Sequence, residues 1–432
     1  MKNTPSVYLT TLGCKVNQTE SEAVAQLFRE AGYTVANVGE KADVIVVNTC
    51  TVTDTGDSKS RQMIRRMART HPGSLIVVMG CYAQTAPEEV LKIEGVDLVI
   101  GTQRRSELPA LIEKVKEERQ PCQAVAPILK TRTFEELPLL AQERRTRATI
   151  KIQDGCDQFC TYCVIPYARG PNRSRNPQKI LEEARQLVEM GYREIVLTGI
   201  HTGAYGRDAG AAWDLARLIR ELSALKELRR LRLGSIEPVE LTPWLIEEIF
   251  SSPVVCPHLH IPLQSGSDAV LTKMRRPYTL REYGNLLEKL YRANPELAVS
   301  TDVIAGFPGE TEEDHVRSLA FVQGCQFSGI HVFPYSQRRG TPAANFPEQI
   351  SKKVKGERSR ELLRVAASGR QAYQEKFIGR EAEVLIERVA AGAVWGRTPN
   401  YLALKLPVPP ERTLTSGEFI CIILERNYFL NP

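Results

Sequence analysis

The chain has 432 residues, 42% hydrophobic and 25% charged, an ordinary globular balance in a length too great for one compact core, so two to four domains are expected. Its net charge of +6 is modest, no apolar run reaches the length of a membrane span, and the opening MKNTPSVYLTTLGCKV has no basic-then-apolar export pattern. Ten cysteines in such a chain argue against a disulfide framework and for metal ligation or buried thiols in a reducing, cytoplasmic setting.

From the N-terminus to about residue 115, short β-branched runs (Val7–Thr11, Val44–Val47, Leu75–Met79, Leu98–Ile100) alternate with helical patterns such as Ser21–Ala31 and Ser58–His71. Continuous apolar runs between helices predict a parallel sheet covered on both faces. Cys14, Cys50 and Cys81 each stand just past one of these runs. They therefore share the carboxyl rim of the sheet, where open α/β sheets place ligands. One such cysteine would be read as core; three in equivalent places read as a three-thiolate metal site. Cys122, Cys256, Cys325 and Cys421 lack this context and read as packing or incidental thiols.

Residues 116–147 are weakly periodic and read as a linker. Six strand–loop–helix units then follow from Ala148, with predicted strands Thr149–Gln153, Glu194–Thr198, Arg230–Gly234, His258–Leu263, Ala298–Ile304 and Gly329–Phe333. Six units are too few for a closed eightfold barrel and suit a partial barrel open on one side. After its first strand comes GCDQFCTYCVIPYARG, with Cys156, Cys160 and Cys163 spaced x3 and x2. Three thiolates fit three irons of a cubane 4Fe–4S cluster and leave the fourth iron open to a substrate. Zinc sites usually close with four ligands, and no fourth Cys or His follows nearby. A helix around Lys353–Gln374 leads into a last segment with strand-like runs Glu383–Glu387, Tyr401–Leu406 and Phe419–Glu425, which reads as a small antiparallel barrel of the kind that binds oligonucleotides.

The loops after the predicted strands are polar or glycine-rich: TGIHTGAYG, SIEP, QSGSD, AGFPGET and PYSQRRGTPA. Together they predict a cofactor and substrate pocket. His258 and His260 share one side of a strand; a polar lining or satisfied core pair is the preferred reading over a metal pair. Basic strings at 143–147, 168–175, 274–277, 336–340 and 351–355 suit a polyanion track.

With these segments placed, the chain resembles the methylthiotransferase family of radical-SAM enzymes over essentially its full length. The matching strings are TLGCKVNQTESE, VVNTCTVT, MGCYAQ, GCDQFCTYCVIPYARG, SIEP, HIPLQSGSD, AGFPGET and FPYSQRRGTPA. The resemblance implies an α/β fold in three parts: an N-terminal parallel-sheet domain (1–115), a central partial (β/α)6 radical-SAM barrel (148–370) and a C-terminal TRAM-type antiparallel β-barrel (371–432). It implies two 4Fe–4S clusters and S-adenosylmethionine. Cys156, Cys160 and Cys163 would hold the radical-SAM cluster, and Cys14, Cys50 and Cys81 an auxiliary one. Tyr162, Gly199, Ser235, Glu237, Gln264 and Ile304 are expected at the S-adenosylmethionine site, and Arg169, Arg173, Arg275, Arg338 and Arg339 on RNA. The expected partners are the anticodon stem-loop of tRNA and an electron donor such as a flavodoxin or ferredoxin, with no membrane. TLGCKVNQ and GRTPNYLALKLP resemble the members that place a methylthio group on C2 of N6-threonylcarbamoyladenosine at tRNA position 37. Members acting on isopentenyladenosine or on a ribosomal-protein aspartate differ at Lys15-Val16-Asn17. Eukaryotic relatives often carry a C-terminal membrane anchor, which the ending YFLNP does not suggest, so a bacterial enzyme is expected. The reading from another class is a non-catalytic Fe–S protein that binds RNA.

Overall fold

The structure, a computed structural model, describes residues 4–138, 146–208, 210, 213–390, 392–407 and 413–430. Part of the expected linker and of the basic string at 143–147 lies outside the described residues. The chain divides into two compact units: Met1–Gln142 with Lys151–Asn176 and Ser336–Ala344, and Glu143–Ile150 with Pro177–Tyr335 and Asn345–Pro432.

In the first unit, β1 (Ser6–Thr11), β2 (Thr34–Val35), β3 (Val44–Thr49), β4 (Leu75–Gly80), β5 (Leu98–Ile100) and β6 (Cys122–Ala124) form one sheet in the order β2–β1–β3–β4–β5–β6. Every adjacent pair is parallel. All six residues of β3 are buried, because both faces are covered. Val44 and Val46 pack with Val24 and Phe28 of helix α1 (Lys15–Glu30). Ile45 and Val47 pack on the other face with Ile64 and Met67 of helix α2 (Asp54–Thr70). Both helices begin earlier than their periodicity predicts. The first turn of α1 is polar apart from Val16, so its stripe is hard to see there. α2 is started by its cap: the Thr53 hydroxyl accepts the Gly56 N–H at 3.1 Å, with Asp54 and Asp57 in the first turn.

The second unit carries six successive strands, the first of them through Ile150: Ala148–Lys151, Glu194–Thr198, Arg230–Arg232, His258–His260, Ala298–Ala305 and Gly329–Pro334. They form two three-stranded sheets joined by parallel bridges at Leu231–Val255 and Ser235–His260, which gives the expected partial barrel. Three strands stop two or three residues short of their predicted ends, at Lys151, Arg232 and His260; past the last of them the chain leaves the regular ladder and bridges singly at Gln264–Val303. The C-terminal segment is a four-stranded antiparallel sheet ordered Ala403–Pro407, Ala393–Arg397, Glu381–Ala390, Phe419–Ile423. The strand Ala393–Arg397 has no counterpart among the sequence expectations; a glycine interrupts its alternation. Val384, Ile386, Val394 and Leu404 form its core with Tyr373 and Phe377 at the end of helix Lys352–Glu375. Among the described residues no helix is long and apolar enough to cross a membrane.

Candidate functional site

In the first unit the register decides where the cysteines go. Thr11 pairs with Asn48 and Thr49 with Gly80, so β1, β3 and β4 end level. Cys14 caps α1 in extended conformation, Cys50 directly follows β3, and Cys81 directly follows β4. A Cβ on Gly13, whose φ is +106°, would stand 3.1 Å from the Cys50 sulfur, so this close approach of β1 and β3 requires glycine. Asn17 holds the three loops together. Its Nδ2 donates to the Leu12 and Thr49 carbonyls, both at 3.0 Å, and its Oδ1 lies 3.7 Å from the Cys14 sulfur and 3.9 Å from that of Cys81. The three cysteines therefore stand at one rim of the sheet around Asn17.

Burial pushes the Cys50 thiol up and the Cys81 thiol up to about 12, the latter against the pull of Arg169. Thiols that resist ionising alone are donors that a metal deprotonates outright. Among the described residues, the group of three ligand side chains whose donor atoms all lie within 4.8 Å is His260, Asp302 and His331, and neither cysteine triad is so tight. A lone tetrahedral zinc, with Zn–S about 2.3 Å, would hold its sulfurs roughly 3.8 Å apart. Neither triad is closed tightly enough for a lone zinc.

The second triad also belongs to the first unit. The Cys156 N–H donates to the Gly170 carbonyl at 2.9 Å and the Cys163 N–H to the Cys160 carbonyl at 2.9 Å, which closes the loop on itself. Gly155 takes φ +78° with its would-be Cβ 1.9 Å from the Pro171 carbonyl oxygen, so no side chain fits there. Tyr162 and Cys163 are half-buried in this loop, while Cys160 is buried.

The other expected S-adenosylmethionine residues lie in the second unit, at the carboxyl ends of its parallel strands. Gly199 follows Glu194–Thr198, Ser235 bridges to His260, and the Gln264 carbonyl accepts the Ile304 N–H at 2.9 Å. Glu237 is ion-paired with Arg276. Burial raises its carboxyl against that cation, and the same carboxylate closes a capping box with Glu240. His260 has both ring nitrogens engaged, by Ser300 at 3.0 Å and Asp302 at 3.1 Å, and His258 shares the Ser300 hydroxyl at 3.2 Å.

Three of the five arginines expected on RNA are corrected by the structure. Arg169 and Arg173 are fully buried, and Arg338 is 6% exposed. Arg338 Nη2 donates to Asp57 at 2.5 Å and to the Thr51 hydroxyl at 2.7 Å, next to Cys50. Arg275 and Arg339 are exposed, the latter beside Glu89 at 3.3 Å. Sequence reasoning also missed Asn17, Glu20, Arg105, Lys151 and Asp154, all buried around Arg169. One signal was available: Glu20 shares a helical face with Val16, Val24 and Phe28, and a carboxylate in an apolar stripe needs a buried cation.

Comparison with known proteins agrees with this geometry. Residues 6–101 match a family described as uncharacterized protein family UPF0004, and residues 150–322 match the radical SAM superfamily. A Bacillus subtilis protein named threonylcarbamoyladenosine tRNA methylthiotransferase MtaB is 49% identical over 92% of this chain and 89% of its own. The chain belongs to the radical-SAM methylthiotransferase family. It is also 38% identical to a Moorella thermoacetica tRNA-2-methylthio-N(6)-dimethylallyladenosine synthase, over 88% of this chain and 86% of that one. Its fold is similar to that of the radical S-adenosylmethionine methyltransferase TsrM from Kitasatospora setae, with TM-score 0.59 and 15% identity over 79% of this chain and 77% of that one. As a member of this family it uses 4Fe–4S clusters and S-adenosylmethionine.

Proposed function

We propose that this enzyme transfers a methylthio group to C2 of N6-threonylcarbamoyladenosine at position 37 of tRNA. The observation that carries the substrate is the 49% identity with the Bacillus subtilis MtaB across nearly the whole of both chains. Cys156, Cys160 and Cys163 would hold the cluster whose open iron takes S-adenosylmethionine, and Cys14, Cys50 and Cys81 the auxiliary cluster. When bound, these groups supply the one-electron chemistry that an unactivated aromatic C–H requires.

The protein's own part is positioning. The unit built on the N-terminal sheet, which includes Lys151–Asn176, presents both triads, the strand ends within Pro177–Tyr335 carry the other expected S-adenosylmethionine residues, and 371–432 is an RNA-binding module. Asn17 fixes the Cys14, Cys50 and Cys81 loops, the Cys156–Gly170 and Cys163–Cys160 hydrogen bonds fix the other triad, and Glu237, Ser235 and Gln264 offer polar atoms to the nucleoside part of the cofactor. Arg275 and Arg339 would meet tRNA phosphates around the anticodon stem-loop, and a flavodoxin or ferredoxin would deliver electrons in the cytoplasm.

The test is mass spectrometry of nucleosides from tRNA carrying both threonylcarbamoyl and isopentenyl adenosines, incubated anaerobically with reconstituted enzyme, S-adenosylmethionine and reductant. Product from the threonylcarbamoyl nucleoside alone supports the reading. Product from the isopentenyl nucleoside supports the second reading, favoured by the 38% identity to the Moorella relative.

A further inference from the structure

Behind the Cys14–Cys50–Cys81 end of the first unit lies a buried cluster of ionised groups. Glu20 Oε1 pairs with Arg105 at 2.5 Å, Lys151 at 2.6 Å and Arg169 at 2.7 Å. Asp154 pairs with Lys151 at 2.7 Å, Arg169 at 3.2 Å and Arg173 at 3.5 Å, and Glu135 with Arg105 at 2.9 Å. Four cations thus face three carboxylates. Burying ions costs several kcal/mol each, and a well-packed apolar core of the same volume is often as stable. Stability therefore gives no reason to keep this cluster, and the surplus cation needs another purpose.

Its target is the Cys81 sulfur. Arg169 divides its fork in three directions: Nη1 donates to Glu20 and Asp154, Nη2 to Asn17 Oδ1 at 2.7 Å and Glu20 at 3.0 Å, and Nε to the Cys81 sulfur at 3.3 Å. The first two directions fix the plane of the guanidinium, and the third aims an N–H at a sulfur that faces the other two thiols. Lysine has no such fork. Arg169 ends the short helix that follows Cys163, and Asp154 precedes Cys156, so the same network is continuous with the loop that carries the second triad.

We infer that Arg169 is a positioning residue of the auxiliary cluster, whose N–H to the Cys81 sulfur holds that ligand and raises the cluster's reduction potential. The inference rests on the reading that Cys14, Cys50 and Cys81 ligate that cluster. A donor to a ligand sulfur favours the more negative, reduced state, so removing it lowers the potential. Glu20, Asp154 and Asn17 keep the donor in place.

The experiment uses the full chain with C156A, C160A and C163A, reconstituted anaerobically so that only the auxiliary cluster reports. Iron and sulfide content and an EPR-monitored redox titration are then compared for that parent, for R169M and for R169K. R169M should load the cluster with a midpoint below the parent's, and R169K, which keeps the charge without the fork, should fall between them. An R169M midpoint equal to the parent's at equal cluster content overturns the inference. Where R169M does not load, R169K decides: a lowered midpoint upholds the inference and an unchanged one overturns it. A parent that holds no cluster, or one that keeps it after Cys50→Ala, overturns the underlying ligand assignment instead, and the two failures are told apart by iron content alone.

Discussion

Replacing Arg338 by Met tests whether this arginine is a buried clamp or an RNA contact. The side chains of Arg338 and Asp57 are 8% and 13% exposed and meet at 2.5 Å, and the same Nη2 also holds the Thr51 hydroxyl. Breaking a buried pair by removing one partner costs about 3–5 kcal/mol, because the other charge stays behind. The expected loss for R338M is in that range, read as a shift of the first transition in urea denaturation of metal-free protein. The cause is the stranded carboxylate, so D57N/R338M should regain at least half of it. The pH dependence has a definite sign. Burial already raises the Asp57 carboxyl, against the pull of Thr51 and Arg338. Without Arg338 it rises further. A raised folded value gives relative stability that is complete below the unfolded value near 3.9 and is lost as pH rises through the folded one. R338M should therefore be penalised less at pH 5 than at pH 8. The salt dependence of its tRNA affinity should match that of the wild type. An R338M variant within about 0.5 kcal/mol of wild type, where ordinary surface substitutions fall, refutes the clamp, as does a salt slope shallower by about one.

Neutralising the exposed Arg275 and Arg339 together should weaken tRNA binding and make the slope of log affinity against log salt shallower by up to about two, measured by filter binding at several salt concentrations. Cys160→Ala should abolish 5′-deoxyadenosine formation from S-adenosylmethionine, whereas Cys50→Ala should leave it measurable and stop sulfur insertion; equal loss in both would sink the division between triads. Burial alone would raise the Glu20 carboxyl, but Arg105, Arg169 and Lys151 hold it well below the usual range. The stability this gives is present above the unfolded value near 4.3 and is lost as pH falls toward the folded one. Glu20→Gln should therefore lower stability at pH 7 and flatten its decline below about pH 4 in acid titrations followed by circular dichroism. Gly155→Ala forces a Cβ onto the Pro171 carbonyl and should cut iron loading at the Cys156–Cys163 loop, read as iron content in a C50A background.

The ends of β3 and β4 were legible because a strand buried on both faces has to be written as a continuous apolar run, and β1, only half-buried, was marked by its β-branched and aromatic residues; the cysteine after each run then marks a common rim. The triad loop was legible for a similar local reason, since its three ligands and the glycine that closes it lie within a few residues of one another. Substrate class was carried by strings such as TLGCKVNQ, and the 49% identity with a full-length relative now supports it. The fate of the arginines was not legible. Arg169 meets Glu20 across 149 positions, and Arg338 meets Asp57 across 281. Local sequence cannot tell a solvated basic string from one folded inward, because burial of a charge is decided by the partner that awaits it, and only the tertiary structure brings that partner near. The same holds for the grouping of Lys151–Asn176 and Ser336–Ala344 with the N-terminal sheet, since pairing at long range, rather than periodicity, determines which segments pack together.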